Sequence, residues 1–389
     1  MIKSSPWLLV ILGALMAFTS LSTDVYLPAM PQMAAELQGN VELTVTGFLV
    51  GFAIAQLIWG AVSDRIGRKI PLYIGMVLFV IGSIGCAFSH SINEIVFWRI
   101  FQAFGACTAP LLARAIIRDL FDKSRAVQML STLTMIMAVA PIIGPLLGGQ
   151  IVQFGNWKMI FILLAMIGIV MFFSLFALPE TLPKEQRTSG RFWTIFRNYR
   201  QLLQNHRFMR YTLCVTFFYV GAYAFVVGSP QVYIEHFNVA PQHYGWLFAL
   251  NIVGIMLFSL LNKTLSRRFA LELLLKISTA IAAFASILMS LMVYFNISGI
   301  YAVIIPIFLF FSMNGIIASC ATASALDLVP TMAGSGAALI GSLQYGSGII
   351  SSLLLVCFSD GTASAMAWII GVFALLSAAT MLNIYEKNS

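Results

Sequence analysis

Apolar residues run through this chain in long blocks, without the alternation that marks the half-buried elements of a soluble domain. From Trp7 to Leu21 there is no charged side chain, and blocks of similar length recur almost to the end of the 389 residues. A helix needs about 20 residues, at 1.5 Å each, to cross the hydrocarbon of a bilayer. On that measure the blocks predict spans near 7–30, 43–63, 71–89, 94–117, 126–151, 158–178, 209–234, 243–262, 271–294, 300–324, 334–358 and 364–385. In hydrocarbon only helices or closed barrels satisfy the backbone, and these blocks are too long and too uniformly apolar for barrel strands. The expected fold is an all-α membrane protein of twelve transmembrane helices.

One connection is long and polar, from about Pro179 to Arg207, and it divides the chain into two sets of six spans. The expected organisation is an N-terminal six-helix half (1–178), a cytoplasmic connecting loop (179–208) and a C-terminal six-helix half (209–389). Equal span numbers suggest a parallel repeat with pseudo-symmetric halves. Residual similarity is thin: Ser22-Thr-Asp-Val-Tyr-Leu resembles Ser229-Pro-Gln-Val-Tyr-Ile, which makes Gln231 the neutral counterpart of Asp24.

Composition agrees with a membrane chain. Hydrophobic residues make up 60% and charged residues 9%, with a mean hydropathy of +0.92, whereas soluble domains are roughly 25% charged. The first block lacks a convincing small-residue cleavage site and reads as a retained span rather than a signal peptide. The net charge of +8 would suggest nucleic acid in a soluble protein, but its distribution matters more here. With the N-terminus inside, the inner side receives Lys3, Arg65, Arg68, Lys69, Arg114, Arg118, Lys123, Arg125 and the seven basic residues from Lys184 to Arg210. It also receives Lys263, Arg267, Arg268, Lys276 and Lys387. The outer loops receive Lys158 alone, beside Glu36, Glu42, Glu235 and Asp360. That asymmetry predicts both termini on the cytoplasmic side. Cys86, Cys107, Cys214, Cys320 and Cys357 show neither metal-ligand spacing nor a disulfide framework. No motif calls for a cofactor or metal.

Polar residues that interrupt the blocks carry the functional reading. After the second span comes Gly60-Ala61-Val62-Ser63-Asp64-Arg65-Ile66-Gly67-Arg68-Lys69. Physically this is a tight, basic inner turn, in which Gly60 lets helices approach and Gly67 takes φ > 0. It matches G-x-x-x-D-R-x-G-R-K and resembles the signature loop of the major facilitator superfamily, with the resemblance extending over all twelve spans. That likeness implies alternating access by rocking of the two halves. It also implies a latch in which Asp64 meets the N-terminal end of the eleventh span, around residues 333–335, where the helix dipole favours an acid. Arg65 and Arg68 are expected to pair with Asp119 or Asp122. The second half keeps only Asn262-Lys263-Thr264-Leu265-Ser266-Arg267-Arg268 at the matching place.

In the fifth span, Pro141-Ile142-Ile143-Gly144-Pro145-Leu146-Leu147-Gly148-Gly149 combines kink-forming prolines with a small-xxx-small face made by Gly144 and Gly148. It resembles the fifth-span motif of the superfamily's antiporters, which implies exchange and export.

Two charges fall well inside spans. Asp24 lies seven residues before Pro31 and Arg99 five after Glu94, about 10 Å and 7–8 Å from the outer ends of their predicted spans. Intramembrane charges are costly and usually serve transport. Pairing is expected, directly or through Gln102 or water. A static ion pair that fixes helix packing is one reading. The other is a working carboxylate whose charge vanishes on protonation, so that a substrate cation and a proton compete for it. Thr23-Asp24-Val25-Tyr26-Leu27-Pro28-Ala29-Met30-Pro31 and Arg99-Ile-Phe-Gln102-Ala-Phe-Gly105 resemble the first- and fourth-span motifs of the bicyclomycin- and chloramphenicol-resistance (Bcr/CflA) drug–proton antiporters. Arg118-Asp119-Leu120-Phe121 fits that branch as well, while Met16 stands where some relatives carry a second acid.

The resemblance implies a proton-coupled multidrug exporter of small apolar or cationic compounds in a bacterial inner membrane, working as a monomer without cofactor or nucleic acid. Its partners are the small-molecule substrate, protons and the lipid bilayer. Tyr26, Gln102, Tyr219, Tyr223, Gln231 and Asn314 are the expected substrate contacts, with Asn251 and Gln344 as further polar candidates. A dedicated metabolite or siderophore exporter, or an uptake symporter of the same fold, are the alternatives. An enzyme is not expected: there is no His-Glu-x-x-His, paired-aspartate or Walker A motif.

Overall fold

The computed structural model describes residues 6–121, 123–187, 193–359 and 361–382. Twelve helices in it are long and apolar enough to cross a membrane: Trp7–Leu37, Glu42–Ile66, Lys69–Ala87, Ile92–Leu120, Met135–Phe154, Trp157–Ala177, His206–His236, Pro241–Leu265, Leu271–Tyr294, Tyr301–Asp327, Pro330–Phe358 and Ser364–Leu382. They are numbered below as spans one to twelve. The expected Asp122 partner, Lys3, Lys387 and Asp360 lie outside the described residues.

The helices are turned inside out relative to a soluble bundle. On span three, Ile70, Ile74, Val77, Ile81, Ile84 and Phe88 form an exposed stripe at helical spacing, suited to lipid. The opposite face buries Gly75, Gly82, Ser83 and Cys86. Small residues on that face bring backbones together where hydrophobicity alone supplies no attraction between helices. A Cβ on Gly82 would strike the backbone nitrogen of Gln102, and one on Gly47 or Gly51 of span two would strike the carbonyl oxygens of Val96 and Ile100. Span four is thereby held on two sides.

By its internal contacts the chain forms two compact units. Unit one comprises Met1–Thr194 with Pro241–Gly245, and unit two comprises Ile195–Ala240 with Trp246–Ser389. The connecting segment is more ordered than a plain loop: it contains the helix Trp193–Gln204.

Span one also differs from its predicted outline. The predicted span ends near residue 30, yet the observed one continues to Leu37. Its α-helix stops at Asp24, passes through the 3-10 turn Leu27–Ala29, and restarts as Met30–Leu37 with proline in the first turn. Pro28 has no N–H for the Asp24 carbonyl, which breaks the helix there, whereas a proline in a helix's first turn forfeits nothing. Asp24 is therefore thirteen residues from the end of the span, about 20 Å rather than 10 Å. Arg99 lies seven residues from the start of span four, about 10 Å. The segment beyond the break is tied down by Gln32 and Glu36, which accept from the backbone N–H and indole N–H of Trp157 at 3.1 and 2.7 Å.

Candidate functional site

The polar interior of unit one centres on Arg99, whose side chain is completely buried. Its guanidinium lies 4.3 Å from the ring centre of Tyr26 and 4.4 Å from that of Phe48. One terminal nitrogen donates to Gln102 Oε1 at 2.6 Å and to the Ser22 carbonyl at 3.1 Å, and Nε donates to the Thr44 carbonyl at 3.4 Å. Gln102 Nε2 donates in turn to Ser83 Oγ at 2.7 Å, and Ser83 to the Phe79 carbonyl. Each desolvated cation–ring contact is worth about 2 kcal/mol, which offsets part of the cost of burying the charge. The other terminal nitrogen of Arg99 is buried without a hydrogen-bond partner among the described residues.

Asp24 is 8% exposed and accepts a 2.9 Å hydrogen bond from the Thr23 hydroxyl. No ion pair joins it to Arg99 among the described residues. The expected direct pair is thus not made, and Gln102 bridges Arg99 to Ser83 rather than to Asp24. Span five closes over the same point. A Cβ on Gly144 would sit 3.1 Å from Asp24 Cβ, and one on Gly148 would strike the Val25 carbonyl. The small-xxx-small face packs on the very residues where span one breaks, and the helix runs on through Pro141 and Pro145.

Two of the expected substrate contacts, Tyr26 and Gln102, are fully buried and stand as the wall and tether of Arg99. Ser22, Thr44, Phe48 and Ser83 complete the cage. Sequence reasoning missed them because a serine or phenylalanine in an apolar block carries no signal by itself. Only the glycines at 47, 51 and 82, which let the backbones approach, hinted that something on span four was being enclosed.

A second cluster surrounds Arg68, outside the spans. Its guanidinium binds Asp64 at 2.6 Å, Asp119 at 2.9 Å and the Ser63 hydroxyl at 2.8 Å. Burial works against its charge, but the two carboxylates outweigh burial and hold its pKa above the ordinary value. Of the expected partners Asp119 is engaged, and Arg68 is the arginine that takes it. Gly67 has φ +99°, as expected. Gly60 departs from expectation, because a Cβ there would meet nothing within 4 Å among the described residues.

Glu180 was not singled out from the sequence. Its carboxylate accepts backbone N–H bonds from Arg68 at 2.9 Å, Lys69 at 3.2 Å, Thr181 at 3.0 Å and Leu182 at 3.1 Å. Burial opposes its charge, and these donors outweigh burial, so its pKa falls below the ordinary glutamate value. Gly67 must be glycine for a second reason: a Cβ there would collide with this carboxylate. The acidic residue in Pro179-Glu180-Thr181-Leu182-Pro183, just past a span, was the available clue.

Among the described residues, unit two has no counterpart to the arginine cage. Span seven changes from α-helix to a π-turn at Gln231–His236, and Gln231 Oε1 accepts from Ser359 Oγ at 2.9 Å. Tyr219 and Tyr223 are partly exposed and form a ring ladder, 6.3 Å apart, that continues to Tyr345 of span eleven at 6.4 Å. Tyr345 is an addition to the sequence reading. Asn314 follows a break in span ten at Met313, with its Oδ1 buried and unpartnered among the described residues. The Asn251 Nδ2 is in the same condition. No group of three His, Cys, Asp or Glu among the described residues is placed to hold a metal ion.

Comparison with known proteins agrees with this architecture. The Major Facilitator Superfamily profile matches residues 10–352. The chain is 30% identical to the bicyclomycin resistance protein homolog of Haemophilus influenzae, over 99% of this chain and 98% of that protein. It is 26% identical to multidrug resistance protein D of Escherichia coli, over 95% of this chain and 94% of that protein. The nucleoside transporter NupG shares the fold with a TM-score of 0.80 at 13% identity, covering 99% of this chain and all of that one. Twelve apolar helices, the Gly60–Lys69 loop and a profile match over most of its length make this chain a multi-pass membrane protein that belongs to the Major Facilitator Superfamily.

Proposed function

We propose that the protein is a proton-coupled efflux transporter that exports small apolar or cationic compounds by alternating access. The observation that carries this reading is the arrangement of the two intramembrane charges. Arg99 is caged by rings and carbonyls with one donor left open, while Asp24 sits at a helix break, bonded only to a neighbouring hydroxyl among the described residues. A static structural ion pair would join them. A carboxylate left separate from its arginine is free to exchange a proton.

In this mechanism protonation removes the charge of Asp24 and with it the cost of passing through a dry state. Loss of the proton restores an anion in the same interior as the Arg99 guanidinium, which keeps one open donor. Gly144 and Gly148 let span five follow the broken segment of span one closely, so a change at Asp24 is felt by the antiporter-like helix. Tyr219, Tyr223 and Tyr345 offer partly exposed aromatic faces suited to varied apolar or cationic ligands. Both termini are cytoplasmic on the charge asymmetry, the membrane is a bacterial inner membrane, and the working unit is a monomer. The names of the two curated relatives, bicyclomycin and multidrug resistance proteins, favour drugs over nutrients.

The test is substrate-induced proton release from purified wild type and Asp24→Asn, with a panel of antibiotics and lipophilic cations. Release by several unrelated compounds, lost in the variant, is the expected result. Release that persists in the variant removes Asp24 from coupling. No release from any compound points to a narrow metabolite or siderophore exporter.

A further inference from the structure

At one end of unit two, the first turn of span seven and the last turns of span twelve leave an open cleft of about 430 Å³. Its polar wall is His206, Arg207 and Arg210, its apolar wall is Met209 and Leu213, and Thr380 closes the far side. Arg210 is held in place because its Nε donates to the Thr380 carbonyl at 3.0 Å. Its two terminal nitrogens have no partner among the described residues, and neither does the exposed guanidinium of Arg207. The nearby acid, Glu272, is engaged by the Tyr211 hydroxyl at 2.7 Å and forms no ion pair with either arginine among the described residues. Between Lys184 and Arg210 there are seven Lys and Arg against the single acid Glu185. The helix Trp193–Gln204 exposes two of them, Arg197 and Arg200. One turn back along span twelve, Leu375 and Leu376 are exposed and continue the apolar wall along the lipid-facing surface.

We infer that this cleft binds an anionic phospholipid of the cytoplasmic leaflet, with its phosphate on Arg207 and Arg210 and its acyl chains along Leu213, Leu375 and Leu376. Guanidinium groups with open N–H donors, one of them held in place at Arg210, match phosphate oxygens. A basic pocket between spans at the inner surface is where headgroup charge and chain apolarity are recognised together. A free phosphate would satisfy the polar wall and leave the apolar one unused. A zwitterionic headgroup would bring its own cation against His206 and Arg207. The leaflet assignment rests on the orientation proposed above, whereas headgroup binding does not.

The experiment is native mass spectrometry of the full-length protein in mild detergent, titrated with phosphatidylglycerol or phosphatidylcholine. Wild type should retain phosphatidylglycerol preferentially. Arg207→Gln, which removes no hydrogen bond among the described residues, should lower its apparent affinity roughly fivefold. Arg207→Gln/Arg210→Gln should lower it by about 25-fold if the two contributions add. Equal retention of the two lipids, unchanged retention in Arg207→Gln, or displacement by inorganic phosphate at the lipid's own concentration would each overturn the proposal. Sidedness has its own readout, an impermeant maleimide on Arg207→Cys in a Cys357→Ser background. Protection in intact cells, with labelling after the inner face is opened, supports the cytoplasmic leaflet. Labelling from outside overturns the leaflet and the proposed orientation while leaving the lipid titration to decide headgroup binding.

Discussion

The first spans of the two units break at matching places and then part company. Span one loses its α-helix after Asp24, and span seven after Pro230, just before Gln231. In unit one the break carries an acid and is backed by a buried arginine in an aromatic cage. In unit two it carries a neutral amide that accepts one hydroxyl hydrogen bond. The ends of spans two and eight repeat the contrast. Arg68 gathers Asp64 and Asp119 in unit one, whereas Asn262 of unit two donates to the Ser319 hydroxyl at 2.8 Å. Among the described residues the buried charges, Asp24, Arg68 and Arg99, all lie in unit one. That division is economical, because each buried ion must be surrounded by partners to be tolerated, while aromatic and amide surfaces adapt to ligands without that demand.

The largest test of this asymmetry replaces each break residue in turn. Asp24→Asn should reduce proton-coupled export to background in vesicles with the protein still present in the membrane. Gln231→Leu removes one neutral hydrogen bond, about 1 kcal/mol, and should change export by no more than roughly fivefold. Equal loss in both variants would break the comparison.

Steric tests come next. Gly148→Ala drives a methyl group into the Val25 carbonyl and should cost about 1–3 kcal/mol, read as a lower Tm together with lost export. Gly144→Ala needs only a small adjustment beside Asp24, and should shift export more than Tm. Arg99→Lys keeps the charge and loses the planar fork and ring stacking. Its Tm should fall, and a wild-type Tm would show that the cage contributes little.

Smaller effects are expected at the loop after span two. The folded pKa of Glu180 lies below the ordinary value of 4.5. Its carboxylate therefore adds stability above that pH, and the contribution disappears as pH falls through the folded value. Glu180→Gln should flatten the acid side of a Tm-against-pH curve and leave the region near neutrality less affected in slope. An unchanged acid limb would remove Glu180 from the loop's stability. Gly60→Ala, with open space around the new methyl group, should leave Tm and export as they are. A marked loss there would mean that another conformation brings a helix against Gly60.

Much of the fold was legible because the solvent dictates it. Lipid demands uninterrupted apolar helices, so twelve spans, the central connection and the charge asymmetry can be read directly from residue types. Asp24, Arg99, Asp64, Arg68 and Gly67 were visible for the related reason that a charge inside an apolar block, or a glycine in a charged turn, has few ordinary explanations. That Tyr26 and Gln102 lie against Arg99 was not legible, since residue type does not say which neighbour a helix face meets. Glu180 was passed over because one acid in a polar linker has no local mark of the four N–H groups that converge on it.

The sequence by itself determined the helical membrane fold, the loop signature of the superfamily and the few charges worth questioning, since each follows from local composition and its cost in hydrocarbon. Only the tertiary structure decided that Asp24 and Arg99 stand apart, that Gly144 and Gly148 press on the break in span one, and that Glu180 caps the loop at Gly67. Those facts depend on which backbones approach within a few ångströms, a property of packing between segments distant along the chain.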